Sequence, residues 1–75
     1  MDYQQYIERN PKVMQGKPII KGTRITVELL MRKLANGYGT EDLLKSYPHL
    51  TRAQILAALE YAADMIANED VLERA

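Results

Sequence analysis

The hydrophobic period of this chain changes once, at Thr26, and that switch constrains the fold more than any other feature. Before it, the turn signals Asn10-Pro11, Gly16-Lys17-Pro18 and Gly22 separate short β-favouring pieces, Val13-Met14, Ile19-Ile20 and Ile25 with Val27. Pro18 and the closely spaced glycines keep these pieces short and place them at a sheet edge. Lys21-Gly22-Thr23-Arg24 predicts a tight turn that joins an Ile19-Ile20 strand to an Arg24-Ile25 strand. Residues 1–26 therefore read as a β-hairpin or arm.

After Thr26 the spacing is helical. Thr26 is a good N-cap, and Glu28 sits in the first turn, where the helix dipole favours negative charge. Val27, Leu30, Met31 and Leu34 recur at one-face spacing, and Asn36-Gly37 supplies the stop. A second helix is expected from Thr40 as N-cap, through Leu43, Leu44 and Tyr47, with Pro48 ending it. Thr51-Arg52-Ala53-Gln54 is a capping box that opens a third helix. Its core stripe is predicted as Ile55, Ala58, Leu59, Ala62 and Ile66, widened by Leu56 and Ala63. The class is mainly α, a trihelical core over 27–67 behind the short arm, with an acidic tail over 68–75. The second and third helices have helix-turn-helix proportions, a geometry also common in proteins that never touch DNA.

A chain of 75 residues needs reinforcement that its own core rarely supplies. Cysteine is absent and histidine occurs once, at His49, so neither disulfides nor a Cys/His metal site is expected. Oligomerisation is the remaining device. Val13, Ile19, Ile20 and Ile25 give the front more apolar surface than three short helices would cover, so they are the expected homodimer interface. Met1 to Arg9 carry Asp2 and Glu8 and no apolar run, which predicts no signal peptide, and no stretch is long and apolar enough to predict a membrane span. A cytoplasmic location is expected.

Net charge is zero, but its layout is polar. Residues 9–33 carry +6, whereas residues 60–75 carry −4. Binding to a polyanion therefore belongs to the front. Lys17, Lys21 and Arg24 on the hairpin either grip phosphates or protect a strand edge from aggregation. Arg52 and Gln54 either reach base edges from the third helix or serve only its capping box. Further along that helix Glu60, Tyr61 and Asp64 are expected to face outward, where the carboxylates would repel phosphates. A DNA binder should gather Lys17, Lys21, Arg24, Arg32 and Arg52 on one face.

Catalytic chemistry finds little support. Gly16-Lys17 runs into Pro18 and lacks the upstream glycine of a phosphate-binding loop. Ser46 has no nucleophile elbow, and His49 in a Pro-His-Leu turn reads more simply as a turn residue than as a general base. Glu60 and Asp64 share a helix face without further ligands at metal spacing. No catalytic residue, metal or cofactor is expected.

The run from Asn10 to Glu28 carries one further signal. Asn10-Pro11, Gly16-Lys17-Pro18, the apolar pair, then Gly22-Thr23-Arg24-Ile25 and Val27 closely resemble the signature of the DUF 433 family (domain of unknown function 433). The resemblance continues through Leu34-Ala35-x-Gly37, Thr40 to Leu44, Tyr47-Pro48-x-Leu50-Thr51 and Ala57-Ala58-Leu59-x-Tyr61-Ala62, covering roughly residues 4–66. It implies a homeodomain-like helical core with a β-containing arm. It also implies an antitoxin-like regulator that binds operator DNA and a PIN-like toxin as a dimer, with no catalytic residue to carry over. Arg24 would be a bidentate partner for a carboxylate or a phosphate.

Overall fold

A computed structural model describes residues 2–69; Met1 and residues 70–75, most of the expected acidic tail, lie outside it. Two short strands, β1 (Ile7–Glu8) and β2 (Ile19–Ile20), precede three helices, α1 (Val27–Ala35), α2 (Thr40–Ser46) and α3 (Arg52–Glu69). Short 3-10 turns lie at Tyr3–Gln5 and Met14–Gly16. The protein is mainly α, three helices with a small antiparallel sheet at the front. The third helix runs two residues past its expected end at 67.

The sheet differs from the expected hairpin. Its strands pair Ile7 with Ile20 and Glu8 with Ile19, so the partner of Ile19-Ile20 comes from the N-terminal side. The tight turn at Lys21–Arg24 does form: Thr23 N–H and Oγ1 both donate to the Ile20 carbonyl, at 2.9 and 2.8 Å. Gly22 takes the positive φ of 80° that this turn requires. Beyond the turn, however, pairing is limited to one bridge between Ile19 and Thr26, because α1 begins at Val27. Val13-Met14 forms no strand; Val13 is extended and Met14 turns left-handed.

Each helix starts on a local hydrogen bond. Leu29 N–H donates to Thr26 Oγ1 at 2.9 Å, as the N-cap reading expects. The second helix is capped one residue earlier than expected: Gly39 is its N-cap and donates its N–H to Asp42 Oδ2 at 2.7 Å, leaving Thr40 as the first helical residue. The capping box of α3 closes in both directions, Gln54 N–H to Thr51 Oγ1 at 3.2 Å and Thr51 N–H to Gln54 Oε1 at 2.8 Å.

The core gathers Ile7, Ile20, Val27, Leu30, Leu43, Leu50, Ile55, Ala57 and Ala58. Ala57 and Ala58 are fully buried, and their small side chains let α3 settle closely against α1 and β1. The expected phase of α3 is rotated. Its inward face is Ile55, Ala57 and Ala58 with the half-buried Tyr61, Ala62 and Met65, whereas Leu56, Leu59, Ala63 and Ile66 are exposed. Leu59 is 41% exposed, so it is not the mid-stripe core residue its spacing suggests.

Candidate nucleic-acid interface

The expected DNA-facing side chains divide into two groups. At the front, Lys17 Nζ lies 3.0 Å from Glu28 Oε1, and Arg32 Nε lies 3.1 Å from Glu28 Oε2. Glu28, one residue into α1, thus links the basic side chain that follows the left-handed turn to one a helical turn further along α1. The two cations hold its carboxyl below the usual carboxylate range, Lys17 contributing most. Arg24 is exposed and belongs to no ion pair among the described residues. It shares an open basin of about 490 Å³ with Lys12 and Lys17.

Lys21 and Arg52 are held elsewhere. Lys21 Nζ donates to the Gln4 carbonyl at 3.3 Å, fastening the turn to the N-terminal segment. Arg52 is paired with Glu41 at the start of α2. Gln54 is half-buried, with its amide oxygen occupied by the capping box. Of the five cations a DNA binder should gather, Lys17, Arg24 and Arg32 are thereby linked by shared partners or a shared basin. Lys21 and Arg52 are tied to other elements.

The side chains expected at a dimer interface are largely covered within the single chain. Ile19 and Ile20 are 1% and 0% exposed within the single chain, and Val13 and Ile25 are half-buried. Contacts from β1 and the helices absorb the apolar surplus of the front, which a reading that missed β1 could not anticipate. A stripe of exposed apolar side chains lies instead along α3, at Leu56, Leu59, Ala63 and Ile66, 51%, 41% and 66% exposed at the three large residues. Tyr61, expected to face outward, is half-buried. Its hydroxyl accepts from Arg9 Nε and Nη2 at 3.0 and 2.6 Å, and its ring meets Tyr3 edge-on at 5.4 Å.

Two further features complete the surface. A cavity of about 250 Å³ lies under the α2–α3 connection, lined by Thr23, Ile25, Tyr47, Pro48, Leu50 and neighbouring atoms, with exposed His49 at its edge. Among the described residues no group of three or more His, Asp or Glu side chains is placed to hold a metal ion, and no helix is long and apolar enough to cross a membrane.

Residues 7–62 match the family model described as "Protein of unknown function (DUF433)". The chain belongs to the DUF433 family. A solved structure of a DUF433 member from Anabaena variabilis is similar at a TM-score of 0.80 and 32% identity, over 95% of this chain and 67% of that one. The uncharacterized protein y4eO of Sinorhizobium fredii is 29% identical over 58 residues, covering 77% of this chain. That stretch is 26% of y4eO, so the chain spans about a quarter of the curated relative it matches. The DUF433 signature residues have clear structural work here. Gly16 and Gly22 take positive φ, Thr23 closes the turn, and Leu50, Ala57 and Ala58 line the core. Arg24 is a signature side chain with no such duty among the described contacts.

Proposed function

We propose that this DUF433 chain is a non-enzymatic, antitoxin-type regulator that acts in the cytoplasm as a dimer and holds operator DNA through its front face. The observation that carries the reading is the convergence of Lys12, Lys17 and Arg24 on one basin, with Arg32 joined through Glu28. Their charge supplies the phosphate attraction that dominates duplex affinity. The acidic and apolar outer surface of α3 is unsuited to deep insertion in a groove, so any base reading would come from its first turn. Gel-shift titration of the protein on its own promoter at two salt concentrations tests this. Salt-sensitive binding is expected, and absence of binding to any duplex at low salt, with or without the neighbouring gene product, removes the DNA role.

A second reading is favoured by the exposed Leu56, Leu59, Ala63 and Ile66 on α3. An apolar stripe of this kind is an interaction surface. It suits a module that binds a partner protein, a PIN-like toxin in the antitoxin case, without contacting DNA. Co-purification with the neighbouring gene product, lost on Leu59→Glu, would support it.

A further inference from the structure

Met14, Gln15 and Gly16 are three consecutive residues at positive φ, 48°, 60° and 79°. Glycine enters that region freely, whereas Met and Gln each do so at a steric cost from their Cβ. Such strain persists only where surrounding bonds hold it, and it collects at binding sites. Here the bonds are explicit. Lys12 N–H donates to Asn10 Oδ1 at 2.9 Å and Val13 N–H to the Asn10 carbonyl at 2.8 Å. Gly16 N–H then donates to the Val13 carbonyl at 3.0 Å, and Lys17 N–H to the Met14 carbonyl at 3.1 Å.

The left-handed turn reverses the chain between Lys12 and Lys17, so that both side chains line one basin. Its other walls are Pro11, Met14, Gln15 and Arg24. Every ionisable group in that lining is a cation. Lys12 and Arg24 enter no ion pair among the described residues, and only Lys17 is engaged, by Glu28 from outside the lining.

We infer that this basin is a phosphate seat, in which Lys12, Lys17 and Arg24 together hold one phosphodiester of a nucleic-acid backbone. The assignment rests on the DNA reading above and supplies its atoms. Arg24 presents a planar fork that matches two phosphate oxygens, and the lysines act as point charges beside it. The basin is open, so a phosphate enters while the rest of the polymer stays outside. Lys17 exchanges the Glu28 carboxylate for the phosphate. Gln15, held at φ 60°, forms part of the wall of the site.

The test uses the whole chain and two probes. In duplex titrations across a salt series, Lys12→Ala with Arg24→Ala should weaken all sequences equally and flatten the log–log salt slope by about 0.9 per protomer, one phosphate's worth. Both residues are exposed, and an unchanged melting curve confirms that the variant folds. In parallel, inorganic phosphate added to the wild type should shift the Gln15 and Gly16 amide resonances saturably, and the double variant should lose that shift. Duplex binding with an unaltered slope in the variant overturns the seat and leaves the DNA reading standing. A saturable phosphate shift without any duplex binding keeps an anion seat, overturns the phosphodiester assignment and sinks the DNA reading. A shift caused by a glutamate-rich peptide but not by phosphate overturns the seat in favour of an acidic protein partner.

Discussion

Glu28 accepts from Lys17 at 3.0 Å with one oxygen while its other oxygen accepts from Arg32 at 3.1 Å, so one exposed carboxylate restrains two of the front cations. Exposed pairs of this kind are screened by solvent and contribute little to stability. Their consequence is instead competition with an incoming anion. Glu28→Gln should leave the melting temperature almost unchanged and tighten duplex binding by about two- to five-fold, the equivalent of releasing such pairs. Fluorescence anisotropy on a labelled duplex measures this. Weaker binding by the variant would show that Glu28 does not compete with phosphate.

The same contact has a pH signature. Because the folded state lowers the Glu28 pKa, its contribution is present above the unfolded carboxylate value and is lost as pH falls through the folded one. Tyr3 behaves oppositely: the neighbouring Asp64 carboxylate is the largest cause raising its phenol pKa, so that contribution is lost as pH rises through the raised folded value. Carboxyl-carbon NMR should find Glu28 titrating below its unfolded value in the wild type and returning towards it in Lys17→Ala with Arg32→Ala. No movement in that variant would assign the shift to another cause.

Core and surface positions on α3 should separate sharply. Ile55 is 1% exposed and Leu59 41%. Ile55→Ala should cost about 2–5 kcal/mol, enough to unfold a domain of this size, and Leu59→Ala no more than about 1 kcal/mol. Thermal melts of the two variants decide the phase of the helix. Comparable losses would place Leu59 in a packed environment.

The proposed dimer is tested on the other face of that helix. If two copies meet on the exposed stripe, Leu59→Glu should leave the chain folded and reduce a micromolar sample to a single 8.6 kDa species in sedimentation. A variant that stays dimeric would move the interface elsewhere. A wild type that sediments only at 8.6 kDa would remove the dimer altogether.

Gln54→Ala tests base reading, with a structural complication. Its amide oxygen receives the Thr51 N–H, so the variant loses a helix cap and about 0.5–1 kcal/mol before any DNA is added. Promoter preference should be compared at equal folded fraction. Preference that survives that correction assigns Gln54 to the cap alone.

The elements legible in the sequence are those fixed by local chemistry. Thr26, the Thr51–Gln54 box, Asn36-Gly37 and the Lys21–Arg24 turn each satisfy neighbouring backbone groups, and all four appear where the residues place them. What was missed depends on partners distant in sequence. Ile7-Glu8 has no strand pattern of its own and becomes β1 only because Ile19-Ile20 and α3 accept it. The phase of α3 was hidden for a different reason. Ile55, Ala58 and Ala62 compete with Leu56, Leu59, Ala63 and Ile66, so apolar residues surround much of the helix and spacing cannot choose the inner face. At the site, charge type was legible but engagement was not. Glu28, Glu41 and the Gln4 carbonyl, which decide which cations are free, come from other parts of the chain.

The clasp between Arg9 and Tyr61 joins positions 52 residues apart, and β1 beside it leans on the same helix. On the ribosome, the amino-terminal strand is therefore made early and waits for α3 before its packing surface exists. No amino-terminal fragment that stops short of α3 contains the surface that β1 and Ala57-Ala58 close between them. β1 completes its packing only once α3 is present, so the two ends of the described fold form together as one cooperative unit.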